Sequence, residues 1–149
     1  MIIDVLKLKQ EGKQTAVFNF CYNADNSLLS LPNATFLGPV LVECEITLEG
    51  RDVFADINIK YTVKGECSRC LEPAQKTHES SVSVKFSLMP EEDEYLYKSG
   101  KVDLTSPVNE EIIVNQPTVI YCKDDCKGLC PICGANLNAS DCGHGHNEK

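Results

Sequence analysis

The last quarter of the sequence concentrates cysteines in a pattern that is typical of metal binding. Cys130 and Cys133 are separated by two residues, so both thiolates can bind one tetrahedral ion at metal–sulfur distances of about 2.3 Å. Gly134 follows this pair and allows the backbone to turn with a positive φ. The same segment contains three further cysteines: Cys122, Cys126 and Cys142. We therefore expect a zinc knuckle or ribbon in this part of the chain.

Several sets of four ligands are compatible with these spacings. The simplest self-contained set consists of four thiols: Cys126, Cys130, Cys133 and Cys142. Cys122 can replace Cys126, and His144 can serve as a ligand because neutral imidazole binds zinc well. Four protein ligands leave no position for water, so we expect a structural ion rather than a hydrolytic one.

A second pair of cysteines, Cys67 and Cys70, lies far upstream of this segment. Three interpretations remain open: half of a metal site that the C-terminal thiols complete, a redox-active dithiol, or two reduced cysteines packed at a turn. Redox dithiols usually begin a helix that follows a strand, where the helix dipole lowers the thiol pKa. Pro73 and the polar residues after it do not predict such a helix. Whether the chain binds one ion or two also stays open.

The remaining residues show no pattern that is typical of catalysis. No Ser-His-Asp order, phosphate-binding glycine loop or carboxylate pair stands out, and His78 has no partner motif. Cys21 and Cys44 lie in apolar or alternating segments, and we expect both to be packed in the core. We expect a protein that is not an enzyme and has no evident small-molecule substrate.

Composition and charge restrict where the protein acts and what it binds. The 149 residues carry a net charge of −8, which argues against non-specific binding to nucleic acid or anionic membranes. No apolar run approaches the roughly 20 residues that span a bilayer, and the N-terminus does not resemble a signal peptide. We therefore expect a cytoplasmic protein without a membrane partner, whose thiols stay reduced and available to a metal.

Alternating apolar residues predict a sheet of antiparallel strands. Apolar positions recur at every second residue over 40–48 and again over 53–63, with a Gly-Arg-Asp turn at 50–52. This pattern predicts a hairpin of two long, half-buried strands. Residues 16–22 and 82–88 show the same alternation and predict two more strands.

One short helix and a boundary near residue 120 complete the predicted architecture. Ser106 can cap a helix that has Pro107 in its first turn, and we expect this helix at about 106–115. We predict a mainly β (α+β) fold, with an antiparallel sheet or partial barrel over residues 1–120. A cysteine-rich, zinc-binding segment follows over residues 121–149.

A few basic residues are candidates for RNA contact despite the acidic charge of the chain. Lys60 and Lys64 share the polar face of the predicted strand and its continuation, and Lys127 flanks a cysteine of the C-terminal segment. A solvated sheet face is the more usual role of such residues. The candidate contacts are Lys60, Lys64, Arg69 and Lys127.

Three groups of residues, taken in order, resemble one protein family. They are Gly-Glu-Cys67-Ser-Arg-Cys70-Leu-Glu-Pro, Val102-Asp103-Leu104 with Glu110-Glu111-Ile112-Ile113, and Cys126-Lys-Gly-Leu-Cys130-Pro-Ile-Cys133-Gly-Ala-Asn-Leu-Asn. Together they resemble the bacterial YceD family, whose members are described as large ribosomal RNA subunit accumulation proteins. The resemblance extends from about residue 38 to residue 142. The chain has Cys142-Gly-His144 where relatives tend to end in Cys-x-Cys.

The resemblance implies a role in producing or maintaining large-subunit (23S) ribosomal RNA, without a known enzymatic activity. We therefore expect a non-catalytic ribosome-biogenesis factor with structural zinc, which acts on this RNA directly or through a ribosomal protein. The alternative is a thiol redox or zinc-responsive protein in which Cys67 and Cys70 do the chemistry.

Overall fold

The computed structural model describes residues 1–144 of the chain. These residues contain eight strands and two α-helices. The strands are β1 (Ile2–Asp4), β2 (Thr15–Tyr22), β3 (Thr35–Phe36), β4 (Val40–Glu49), β5 (Asp52–Glu66), β6 (Pro73–Ser87), β7 (Tyr95–Leu96) and β8 (Lys101–Asp103). The helices are α1 (Val5–Gln10) and α2 (Thr105–Asn115), and a 3₁₀ turn covers Asn26–Leu28. The predicted mainly β fold is confirmed.

The main sheet has the strand order β2-β4-β5-β6-β7, and β3 pairs with β5 outside this order. All its pairs are antiparallel except that of β6 with β7. β1 and β8 form a separate antiparallel pair. Because β2 and β7 end the strand order, the described strands form an open sheet rather than a barrel.

The long hairpin predicted from the alternation is present as β4 and β5. Gly50 turns the chain between the two strands with a φ of 61°, a conformation that glycine adopts without strain. β5 then pairs with β6 as far as Glu66 opposite Pro73. The connection over residues 67–72 is therefore held at the end of a long, regular ladder.

The two faces of the sheet differ in burial. Inward positions of β4 and β5 are almost fully buried: Val40, Val42, Cys44, Ile46, Val53, Ala55, Ile57 and Ile59. Burial raises the pKa of Cys44 to about 12, with Asp56 adding to the effect. The prediction for Cys21 is wrong, because Phe18 and Tyr22 take the inward positions of β2 and leave Cys21 exposed on the outer face.

Helix α2 lies against the inner face of the sheet. Val108 and Ile112 are fully buried there, and the Tyr22 hydroxyl donates a hydrogen bond of 2.7 Å to Asn109 Oδ1. The predicted helix is thus present and joins the core. Neither α1 nor α2 is long and apolar enough to cross a membrane, and the described residues contain no other α-helix.

The starts of both helices depend on aspartate side chains. α2 begins at Thr105, whose N–H donates a 3.0 Å hydrogen bond to Asp103 Oδ1, so Ser106 is not the cap that we expected. α1 was not predicted; its Asp4 cap accepts a hydrogen bond of 3.1 Å from the N–H of Lys7. Both hydrogen bonds satisfy backbone N–H groups that a helix start leaves without partners.

Hydrogen bonds of the Gln116 side chain join the end of α2 to the loop that follows β2. Its Oε1 accepts hydrogen bonds from the N–H and the hydroxyl of Ser30, at 2.6 and 3.1 Å. Its Nε2 donates to the carbonyl oxygens of Leu28 and Ile113, both at 3.0 Å. Because the side chain is buried, these contacts fix where the chain leaves the helix and turns toward the cysteine-rich segment.

Replacing this amide tests its importance. We expect Gln116→Leu to lower the free energy of unfolding by about 1–3 kcal/mol, because three backbone groups lose partly buried hydrogen bonds. The neighbouring Asn115→Ala, on an exposed residue, should change it by no more than ~0.5 kcal/mol. Urea denaturation of both variants measures the difference, and equal stability of the two would contradict this role.

Candidate metal centres

The β5–β6 turn and the C-terminal segment bring four thiols together. This four-cysteine cluster consists of Cys67, Cys70, Cys122 and Cys126, and its sulfur atoms all lie within 4.8 Å of one another. The Cys67 and Cys126 sulfurs are 3.7 Å apart, and those of Cys70 and Cys122 are 3.5 Å apart. Ligands bound at 2.3 Å around a tetrahedral centre are separated by about 3.8 Å. The cluster therefore has the dimensions of a tetrahedral thiolate site.

Backbone hydrogen bonds shape the first Cys-x-x-Cys turn. The N–H of Cys67 donates to the carbonyl of Glu72 at 2.8 Å, and the N–H of Leu71 donates back to the carbonyl of Cys67 at 3.0 Å. Leu71 has a φ of 62°, which places it in the left-handed region. This turn directs both sulfurs to the same side of the backbone and toward the C-terminal segment.

The C-terminal segment docks on this turn through further hydrogen bonds. The N–H of Ser68 donates to the carbonyl of Ile120 at 2.7 Å, and the N–H of Ile120 donates to Ser68 Oγ at 3.2 Å. Ile120 itself is buried in the core of the sheet. These two hydrogen bonds fix the position of Ile120, and Cys122 lies only two residues beyond it.

Arg69 holds the loop between the two C-terminal thiols of the cluster. Its guanidinium donates to the carbonyl oxygens of Cys126 at 3.0 Å and Asp124 at 3.4 Å, and it lies 4.4 Å from the centre of the Tyr121 ring. A planar group with several donors suits such a combination of hydrogen bonds and stacking. Arg69 is therefore a positioning residue for Cys126.

A second group of potential ligands lies further along the chain. This Cys₃His cluster consists of Cys130, Cys133, Cys142 and His144, whose ligand atoms also lie within 4.8 Å of one another. His144 Nδ1 is 3.9 Å from the sulfur of Cys130 and 3.4 Å from that of Cys142. These values lie on either side of the separation of about 3.6 Å expected for nitrogen and sulfur ligands of one tetrahedral ion.

The second Cys-x-x-Cys turn repeats the hydrogen bonding of the first. The N–H of Cys130 donates to the carbonyl of Ala135 at 2.8 Å, and the N–H of Gly134 donates to the carbonyl of Cys130 at 2.8 Å. Gly134 has a φ of 74°, the conformation expected from the sequence, and it takes the place that Leu71 has in the first turn. The chain therefore builds two knuckles of one design, one in each cluster.

Backbone N–H groups favour the thiolate form of one cysteine in each knuckle. Burial alone would raise the pKa of Cys67, but hydrogen bonds from the N–H of Arg69 and two further backbone N–H groups bring it to about 6. The same opposition acts on Cys130, where the N–H groups of Cys133 and Ile132 outweigh burial and bring the pKa to about 6. Each knuckle thus presents a thiolate near neutral pH, the form that binds metals.

The structure groups the cysteines differently from the simplest predicted ligand set. Three of its members, Cys130, Cys133 and Cys142, lie together, but Cys126 belongs to the four-cysteine cluster and His144 occupies the fourth position. The alternates Cys67, Cys70 and Cys122 surround Cys126. The predicted domain boundary near residue 120 stays a prediction, and residues 145–149 of the predicted segment lie outside the described residues.

Asn138, which was not among the predicted residues, contacts the four-cysteine cluster from the loop between Cys133 and Cys142. Its Oδ1 accepts a hydrogen bond of 2.9 Å from the N–H of Lys127, and its Nδ2 lies 3.4 Å from the sulfur of Cys126. Such contacts orient a ligand and stabilise its charge. An asparagine five residues beyond Cys133 carries no sequence signal for this role, because the contact depends on how the loop folds back.

Comparison with known proteins identifies the family. Residues 55–149 match the family model described as "Large ribosomal RNA subunit accumulation protein YceD". The chain belongs to the YceD family. The family description associates its members with accumulation of the large-subunit ribosomal RNA, and the matched region of this YceD-family chain contains all eight residues of the two clusters.

Relatives of this YceD-family chain occur among mycobacterial proteins. An uncharacterised protein of Mycobacterium bovis and uncharacterised proteins of two strains of Mycobacterium tuberculosis are each 34% identical to it over 92 residues. The alignment covers 56% of this chain and 44% of each relative, so the chain matches less than half of their length. No solved structure gives a significant match.

The candidate RNA contacts of the YceD-family chain differ in their surroundings. Lys60 pairs with Glu79 at 2.6 Å on the outer sheet face, and Arg69 donates to backbone carbonyls of the C-terminal segment. Lys64 and Lys127 are exposed and form no ion pair within residues 1–144. Contact of any of these residues with RNA stays a prediction, and Lys64 and Lys127 are the better placed for it.

Exchanging the residues at the equivalent turn positions tests the knuckle design. Leu71→Gly should raise the free energy of unfolding of the metal-loaded chain by up to ~1 kcal/mol, because leucine is strained at positive φ by about 1–2 kcal/mol. Glycine recovers only part of this strain because it loses more entropy on folding. Leu71 is 60% exposed, so little apolar burial is lost.

The reverse change at the second knuckle is the matched control. Gly134→Leu should destabilise the second knuckle by a similar amount, since no atom lies near a Cβ at that position and only the backbone conformation matters. Thermal and urea unfolding measure both variants. A decrease in stability for Leu71→Gly as large as that for Gly134→Leu would show that the turns are not equivalent.

Proposed function

We propose that this protein is a non-catalytic cytoplasmic factor that supports the synthesis, processing or accumulation of large-subunit ribosomal RNA, and that both clusters hold structural zinc. The observation that carries the proposal is the match of residues 55–149 to the YceD family, which includes both clusters. The family description supplies the role in ribosomal RNA accumulation, and the geometry of the clusters supplies the reason for zinc.

Zinc suits the donor sets of both clusters better than Mg²⁺ or Ca²⁺ does. Thiolate and imidazole are ligands that Zn²⁺ prefers, whereas Mg²⁺ and Ca²⁺ prefer oxygen. Each cluster offers four protein ligands, so the ion would have no open position for water or substrate. The bound ions would therefore hold the C-terminal segment in shape, which supports a binding or assembly role rather than catalysis.

The protein can act on the RNA directly or through a ribosomal protein. The net charge of −8 favours a basic protein partner, since phosphate contacts require cations. Direct contact would use Lys64 and Lys127, which form no ion pair within residues 1–144, rather than Lys60. Binding of a large-subunit rRNA fragment that weakens with added salt would identify the direct route, because phosphate contacts release counterions.

Complementation of depleted cells tests the proposal. We expect depletion to lower large-subunit rRNA relative to small-subunit rRNA, and the wild-type chain to restore the ratio. Cys67→Ser/Cys70→Ser should fail to restore it, because the C-terminal segment loses its attachment to the sheet. Cys21→Ser, on an exposed thiol outside both clusters, is the matched control and should restore the ratio fully.

Two results would overturn the proposal in different ways. An unchanged rRNA ratio after depletion would exclude the proposed role in accumulation. Full restoration by Cys67→Ser/Cys70→Ser would keep that role but show that the four-cysteine cluster is not required for it.

The geometry does not favour the alternative of a redox pair at Cys67 and Cys70. Both residues are buried, at 0% and 4% exposure, whereas thiol exchange needs access to a partner molecule. They lie on a strand-to-strand turn and not at the start of a helix, and each sulfur faces a thiol of the C-terminal segment. This arrangement is that of ligands that converge on one ion.

A further inference from the structure

The two clusters differ in how far solvent can reach them. In the four-cysteine cluster three of the four residues are buried, and only Cys122 is exposed. In the Cys₃His cluster only Cys130 is buried, whereas Cys133 and His144 are exposed and Cys142 is partly exposed. A chelator or a competing ligand can approach an ion in the second cluster directly, but it meets protein on most sides of the first.

The clusters also differ in how the chain connects their ligands. The four-cysteine cluster joins segments that lie 52 to 59 residues apart, and one of them is the turn of the long β5–β6 ladder. Opening it requires the C-terminal segment to leave the sheet, together with the hydrogen bonds of Ser68 and Arg69. Such sub-global opening needs more free energy than local opening of a loop.

The Cys₃His cluster is local by comparison. Its ligands all come from residues 130–144, and the arm that carries Cys142 and His144 follows a loop at the surface. The N–H of Gly143 donates to the side chain of Asp141, which is a bond within the arm itself. Displacing this arm removes two ligands without disturbing the sheet or the four-cysteine cluster.

The charges of the donor atoms also differ between the two clusters. Three thiolates and a neutral imidazole leave a bound divalent ion with a net charge of −1, whereas four thiolates leave −2. The four-thiolate site therefore attracts the cation more strongly, and the imidazole of His144 is the ligand that departs with the least separation of charge.

We infer that the Cys130, Cys133, Cys142 and His144 cluster is an exchangeable zinc site, while the four-cysteine cluster retains its ion as long as the fold persists. This inference rests on the proposed zinc content of both clusters. A response to free zinc would then depend on the arm that carries Cys142 and His144. It would not depend on Cys67 and Cys70, the pair that the alternative from the sequence assigned to it.

Release of zinc to a chromophoric chelator tests the inference on the full-length, zinc-loaded chain. We expect one equivalent to leave at least about tenfold faster than the other, which corresponds to ~1.4 kcal/mol or more in opening free energy. Far-ultraviolet circular dichroism should stay unchanged during the fast phase, because only the arm opens. The slow phase should coincide with loss of tertiary structure.

Variants assign the phases to the clusters. Cys133→Ser/Cys142→Ser should abolish the fast phase and leave one slowly released equivalent, which also shows that this variant is folded. Cys21→Ser should keep both phases. Release of two equivalents at one rate, or a fast phase that survives Cys133→Ser/Cys142→Ser, would overturn the inference while leaving zinc binding intact. A purified chain without zinc would overturn both this inference and the zinc content proposed above.

Discussion

The contact between the β5–β6 turn and the C-terminal segment is the interaction on which the rest of the structure depends. The long ladder of β5 and β6 holds the turn at a fixed position, and the segment that follows α2 reaches it through Ile120. Four thiols then lie within 4.8 Å of one another, three of them on buried residues. Without this contact, residues 121–144 would lose the hydrogen bonds that Arg69 and Glu72 form with them.

Thiols at such close range impose an electrostatic constraint. The thiolate form is favoured at Cys67, whose pKa is lowered to about 6, and at Cys126, whose pKa is also lowered. Burial and the neighbouring sulfurs, Cys70 first among them, raise the pKa of Cys122 to about 12, because a further negative charge beside these sulfurs is unfavourable. A divalent cation bound by this cluster would remove the conflict and displace the remaining protons. Metal binding and docking of the segment would then be one coupled process.

The four longest strands could be predicted from the sequence, because strand alternation determines which side chains face the core. The β4–β5 hairpin and helix α2 follow from local patterns, and the same alternation in β2 could have shown that Cys21 faces outward. Helix α1 has only six residues and gives too short a pattern to recognise. The division of the thiols into two clusters could not be predicted, because the spacings fit several ligand sets. The choice depends on a contact between residues more than 50 positions apart.

The zinc content of the purified chain and of its Cys67→Ser/Cys70→Ser variant tests the central claim most directly. We predict about two zinc ions per chain for the wild type, one for each cluster, and about one for the variant, which keeps only the Cys₃His cluster. Elemental analysis against protein concentration gives both ratios. A wild-type chain with a single ion that the variant retains in full would place the metal wholly in the C-terminal segment and contradict the attachment described here.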